Sequence, residues 1–418
     1  MTHYIKPMKQ IRKFTLLFSA ILLLAISSQA QISSFKDSLL GQVNTITTAV
    51  PFLLIAPDAR AGGMGDYGVA TSADANSIHW NPAKLSFADK KAAFAISYTP
   101  WLRALVNDIY LANLAGYTKL NKDQALSASL TYFSLGNIDF TDESGNRTTS
   151  FNPHEFAFDF AYARKLGEKL SGGLALRYIH SNLTGGAQIA NGTIATNAGN
   201  SVAADLSAYY KTDMDVSKKK SVLAFGVDIS NIGAKISYST TGTKDFIPMN
   251  FRLGTNLKMD LDEYNSLSFG FDINKLLVPT NPVYYKNVNG GDSLDSNHNR
   301  VVEFGKDPTT IGVPQAIFSS WSDAPAGFKE ELKEIIYNIG AEYWYDKQFS
   351  VRAGYFHEAA TKGNRKFFTL GAGLRYNVFG IDFAYLIPTT QRNPLENTLR
   401  FTLLFNFDAM KGENKTEE

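Results

Sequence analysis

The 418-residue chain contains no cysteine, which excludes a disulfide framework, a thiol nucleophile and a cysteine-borne lipid anchor. Long apolar runs are equally scarce. One lies at the N-terminus, and no later stretch approaches the ~18 uninterrupted apolar residues expected of a membrane-crossing helix. Charge excess is missing too, with 41 Lys and Arg against 39 Asp and Glu. The six histidines (His3, His79, His154, His180, His298 and His357) form no metal-spacing cluster. Ser181 follows His180, but no nucleophile elbow or third orienting group accompanies the pair. No enzymatic activity is expected.

The N-terminal run has the form of a secretory signal peptide. Lys6, Lys9, Arg12 and Lys13 precede an apolar core from Phe14 to Ile26, and Ser28-Gln29-Ala30 offers small residues for cleavage after Ala30. Its removal takes away four basic residues and no acidic ones, so the formal charge moves from +2 to −2, which argues against a nucleic-acid partner.

What fills the rest is alternation. Residues 92–408 repeat a unit of about a dozen residues, apolar on one parity and small or polar on the other, the pattern of transmembrane β-strands. The clearest unit places Phe368, Leu370, Ala372, Leu374 and Tyr376 on one face and Thr369, Gly371, Gly373, Arg375 and Asn377 on the other. Mean hydropathy is only −0.15 although aromatic residues reach 13%, because alternation hides the apolar face. Basic residues respect the parity: Arg177, Arg252, Arg352, Arg375 and Arg400 fall in interior rows. On the lipid face near the midplane each would cost about 2–4 kcal/mol.

Fourteen such strands are predicted, with tight connections after every even-numbered strand and mostly longer ones after the odd, the longest at 275–332. The expected architecture is an all-β, 14-stranded antiparallel transmembrane barrel (92–408) in the outer membrane. It follows a signal peptide (1–30) and an N-terminal plug (31–91), and a short tail (409–418) ends the chain. The short-turn side is periplasmic by this pattern, and both termini are expected there. The plug is read from residues that alternate poorly, chiefly Asp58-Ala59-Arg60-Ala61-Gly62-Gly63-Met64-Gly65 and His79-Trp80-Asn81-Pro82-Ala83. Its glycines permit tight turns against the wall, and Asn81-Pro82 favours a turn.

Those two motifs resemble the signature of the PorV/PorQ family, FadL-type barrels of the Bacteroidota. The stretch from Phe318 to Leu332, containing Trp321-Ser322-Asp323-Ala324-Pro325 and Phe328, resembles its PorV branch in particular. The resemblance implies a fourteen-stranded barrel of the type IX secretion system. Such a subunit binds C-terminal signal domains of secreted proteins at the translocon barrel and passes them to the surface sortase complex. The implied neighbours are those proteins and outer-membrane lipid.

Within the long connection, Phe328, Leu332, Ile335 and Ile336 recur at helical spacing, so a helix packing this stripe over the barrel mouth is expected. Trp321, Ser322, Asp323, Ala324, Pro325 and Phe328 are the expected partner-binding residues, Trp321 as anchor because aromatic residues dominate interface hot spots. Asp295, Asn297, Asn299 and Glu303 partly match a calcium loop, although Arg300 and Lys306 stand where that loop needs Gly and a bidentate acid. Calcium is the one ligand that this segment could take, and an Asx-rich turn is the alternative. The rival function is a FadL-like transporter of hydrophobic small molecules, which an oily lumen would favour and the polar interior rows do not.

Overall fold

The computed structural model describes residues 39–407, apart from 142, 143, 187, 190–193, 240, 241, 289, 297, 391 and 392. The signal peptide, residues 31–38 of the expected plug and the tail at 409–418 therefore lie outside the described residues. The strands are β1 (Ala92–Pro100), β2 (Ile109–Lys119), β3 (Gln124–Leu135), β4 (His154–Lys165), β5 (Leu170–Asn182), β6 (Gly199–Val216), β7 (Lys219–Gly233), β8 (Asn250–Asp260), β9 (Asn265–Leu276), β10 (Ile336–Tyr345), β11 (Phe349–His357), β12 (Lys366–Tyr376), β13 (Phe379–Pro388) and β14 (Leu399–Phe407). All pair antiparallel with their sequence neighbours, and β1 pairs with β14 from Ala92↔Phe407 to Tyr98↔Phe401, so the sheet is closed and has no edge.

The parity read from sequence holds in space. Leu174, Leu176 and Tyr178 face outwards, while Ala175 and Arg177 between them are buried in the lumen. The same division separates Phe401 and Leu403 from Arg400 and Thr402. Successive side chains of a strand point to opposite faces, which also splits the aromatic pairs: Phe368 faces out and Phe367 in, Tyr210 out and Tyr209 in.

Turns after even-numbered strands are short. Between β6 and β7 only Ser217 and Lys218 intervene, with φ of 50° and 65°, the left-handed pair that matches strand twist in a tight hairpin. The strands run further into this turn than expected, β6 continuing to Val216. At the opposite mouth lie 101–108, 136–153, 183–198, 234–249, 277–335, 358–365 and 389–398.

Between residue 39 and β1 the chain has no strand. It forms a 3-10 turn (Pro51–Leu54), helix α1 (Ala59–Gly62), helix α2 (Ser77–Trp80) and a second 3-10 turn (Pro82–Phe87). Tyr67, Met64, Ile78, Lys84 and Leu85 from this segment are all fully or almost fully buried. It fills the lumen.

Candidate functional site

The two plug motifs are one construction. Asp58 caps α1 by accepting from the Ala61 amide at 2.8 Å, and its other oxygen accepts from the Trp80 indole at 2.8 Å. Burial, with Asp74 nearby, pushes this carboxyl up to about 6. Asn81 caps the second 3-10 turn through the Ala83 amide, and its amide nitrogen donates to Val69 O and to Ala208 O on β6. Pro82 begins that turn, where a missing N–H costs nothing. Lys84 donates to Gly68 O at 2.6 Å and Thr71 Oγ1 at 3.1 Å.

Arg60 joins the plug to the wall. Its guanidinium forks onto Glu342 of β10 at 3.0 and 2.8 Å and also reaches Asp74 at 2.8 Å. Glu342 is shared with Arg352 of β11, Arg352 continues to Asp382 of β13, and Arg375 of β12 ends the chain. A buried charge network is favourable only when its members are satisfied, so the wall charges that break an oily lumen also hold the plug. The glycines set the distance. Gly65 has a φ of +71° and lies against the Tyr355 backbone, while a side chain on Gly62 would strike Arg400. Met64 lies buried where Gly340 and Gly354 of the wall leave room for it.

Both ends of the chain, expected on the short-turn side, lie outside the described residues. The first described residues sit among the long loops: Lys333 donates to Leu40 O, the Asn44 side chain to Asn281 O and Glu330, and the Asn44 amide to Thr361 O. The chain enters here as a strap, descends as the plug and reaches β1 at the short-turn end, where Phe407 also lies.

Loop 277–335 carries a small hairpin (Val283–Tyr284 with Val302–Phe304), helix α3 (Val313–Ser319) and helix α4 (Phe328–Lys333). The α4 stripe is inverted relative to expectation. Phe328 and Leu332 are 71% and 46% exposed, whereas Glu330, Glu331 and Glu334 are buried. Ile336 has already joined β10. The reason is an ion cluster under the helix: Lys275 bonds Glu331 and Glu334 at 3.0 and 2.5 Å, and Lys362 bonds Glu330 and Glu334 at 2.7 and 2.9 Å. Thr280 Oγ1 donates to Glu334 at 2.6 Å.

Trp321 is half exposed and meets Phe251 edge-on at 5.5 Å; Phe251 belongs to an outward-facing row. Phe318 is 78% exposed. Ser322 and Phe328 are also on the surface, but Asp323, Ala324 and Pro325 are buried, which removes these three from any docking face. The Ala324 amide donates to Glu331, and Asp323 accepts from the Thr280 amide. Burial, reinforced by Glu331 and Glu334, pushes the Asp323 carboxyl up to about 6. The exposed quartet is Phe318, Trp321, Phe328 and Leu332. Sequence reasoning did not select Phe318 for docking, since only the tertiary arrangement shows that α3 packs Val313 and Ile317 inwards beside Phe246 and Met249 and leaves its neighbour outside.

Of the four expected calcium ligands, Asp295, Asn299 and Glu303 are among the described residues. Asp295 accepts from the Asn299 amide as an Asx turn, Asn297 lies outside the described residues, and no three His, Asp or Glu of the described set surround a common point. His180 and Ser181 face opposite sides of β5: Ser181 donates inwards to Glu155 at 2.6 Å, and His180 faces out beside Asn200. Two stacked cavities lie between the strap and the plug at the long-loop mouth. The upper, about 370 Å³, lies between Thr45–Thr48 of the strap and Glu334, Glu358, Lys362 and Arg365. The lower, about 70 Å³, shares Leu54, Ile55, Leu276, Ile336 and Arg365 with it and ends at Asp66 and Trp80 of the plug.

A closed fourteen-stranded cylinder, apolar outside and filled by its own N-terminal segment, is an integral β-barrel of the outer-membrane type. The chain belongs to the PorV family: the family model described as type IX secretion system protein PorV matches residues 39–283. Solved structures similar to it include the Pseudomonas putida toluene transporter TodX (14% identity, 87% of this chain and 98% of that one, TM-score 0.46). The Ralstonia pickettii toluene transporter TbuX is another (13%, 84% and 98%, 0.45), as is a Pseudomonas aeruginosa FadL homologue (12%, 87% and 100%, 0.42). No curated protein matches the sequence. Family membership makes this an outer-membrane component of type IX secretion.

Proposed function

We propose that the protein carries secreted substrates by binding and release, receiving their C-terminal signal domains at the translocon barrel and delivering them to the surface sortase complex. The observation that carries this reading is the inside-out helix α4. A helix that, with the Glu334 that caps it, buries three glutamates and exposes Phe328 and Leu332 leaves an apolar face that water does not reward, and such faces mark interaction sites. The glutamates are stabilised where they are by Lys275 and Lys362, so the exposed face is fixed by the fold. Substituting Ser for both Phe318 and Phe328 should abolish co-purification of secreted C-terminal domains, while the barrel keeps its heat-modifiable mobility. Undiminished co-purification would refute the assignment of the docking face.

A second reading, transport of small hydrophobic molecules, has one observation in its favour. The stacked cavities are walled in part by Leu54, Ile55, Trp101, Phe356, Phe367 and Leu395. Their charged upper lining and the plug beneath them oppose it. Uptake of a labelled aromatic compound that falls when Ile336 is replaced by Trp, with secretion unchanged, would favour transport.

A further inference from the structure

An outward-facing ladder of rings crosses the long-loop ends of five adjacent strands. Tyr98 and Tyr110 have centroids 5.5 Å apart, Tyr110 and Tyr132 6.3 Å, Tyr132 and His154 6.0 Å, and His154 and His180 6.2 Å. Tyrosine is expected at a membrane interface. Two adjacent imidazoles carry a different chemistry.

Each is oriented by one hydrogen bond that settles its tautomer. His154 Nδ1 lies 3.0 Å from the carbonyl oxygen of Asn152, which can only accept. His180 Nδ1 lies 2.8 Å from Asn200 Oδ1. That oxygen also accepts from the Tyr178 hydroxyl, and the Asn200 amide nitrogen donates to Ala198 O, which fixes which end of the amide is oxygen. Both rings therefore donate from Nδ1, which leaves Nε2 as the atom open to a ligand. This is the orienting bond that metal-ligating histidines make. Asn200 is on β6 and His154 on β4, on either side of His180 in the sheet, so a ring held to Asn200 through Nδ1 presents its other edge to the β4 side, where the Phe156 ring lies 5.0 Å away and that of His154 6.2 Å.

We propose that His154 and His180 form a two-histidine site for a divalent transition ion of the imidazole-preferring group, Zn²⁺, Ni²⁺ or Cu²⁺. With metal–nitrogen bonds of about 2.1 Å, two imidazoles on one ion have centroids up to ~6.4 Å apart, and ~5.2 Å at a tetrahedral angle. The pair at 6.2 Å lies inside the wider limit, and rotation of the two side chains with an approach of about 1 Å brings it to the tetrahedral one. Water completes the shell, since no group of three His, Asp or Glu among the described residues surrounds one ion.

The test uses the full mature barrel in detergent micelles, without a polyhistidine tag, titrated with Cu²⁺ or Ni²⁺. One equivalent should bind, His154→Asn and His180→Asn should each weaken binding at least tenfold, and the double variant should fall to background. Electron paramagnetic resonance of the Cu²⁺-loaded wild-type protein should report two equatorial nitrogens, a readout that needs no variant. Absence of saturable binding, a signal with fewer nitrogens, or undiminished binding in a correctly folded double variant would overturn the proposal.

Discussion

The lumen and the long-loop mouth are built on one principle and end in opposite situations. In the lumen, Arg60, Glu342, Arg352 and Asp382 bury their charges together, and the apolar rows left outside face a bilayer. Under α4, Lys275, Lys362, Glu330, Glu331 and Glu334 do the same, and Phe318, Phe328 and Leu332 are left outside with no cover of their own. Burying the charged side of an element is stable when the other side has a non-aqueous neighbour. For the wall that neighbour is lipid, and for α4 we assign it to a protein.

The comparison breaks first at the plug. Replacing Gly354 with Val puts a side chain into the Met64 backbone, so the plug cannot seat; the expected result is a large rise in single-channel conductance and protease cleavage within residues 56–87. Unchanged conductance would show that the plug is not held by this contact. Glu342→Ala comes next, because it removes the carboxylate that Arg60 and Arg352 share and leaves them only Asp74 and Asp382; the expected loss lies below the ~3–5 kcal/mol of a fully unpaired buried charge, and urea titration of the unfolding transition measures it. Lys362→Met should act only at the other network, raising hydrogen exchange in 328–335 with the barrel midpoint unchanged.

A pH dependence should separate the two regions further. Asp323 is raised to about 6 by burial and by Glu331 and Glu334, so its contribution to loop stability is full below the ordinary carboxylate value and is lost as pH rises through about 6. Glu334 is held low by Lys275 and Lys362 against the pull of burial, so its contribution is present at neutral pH and is lost only in acid below its lowered value. Proteolysis of 320–335 should therefore be slower at pH 5.5 than at pH 8, and Asp323→Asn should erase most of that difference. The smallest effect is that of Leu332→Ser on folding, expected within about 0.5 kcal/mol for an exposed site; a larger loss would mean that α4 is packed on that side.

The barrel was legible because its code is local: a period of two, an even strand number and alternating connection lengths need no knowledge of what is far away. The arginines could be assigned inwards from parity alone. Other features could not be read that way. Helical spacing identified the stripe of Phe328 and Leu332 but not its direction, because direction depends on Lys275 and Lys362, some fifty and thirty residues away. Asp323, Ala324 and Pro325 looked like neighbours of an anchor and are buried for the same reason. His154 and His180 looked isolated because two strands had to be set in register before their rings met.

Sequence by itself thus determined that residues 92–407 form a cylinder with a greasy exterior, since alternation along one strand is a property of that strand. Tertiary structure alone decided which mouth the N-terminal strap enters, which face of α4 is buried and which charges pair across the lumen. Those depend on electrostatic partners distant in the chain, whose approach is fixed only when the sheet has closed.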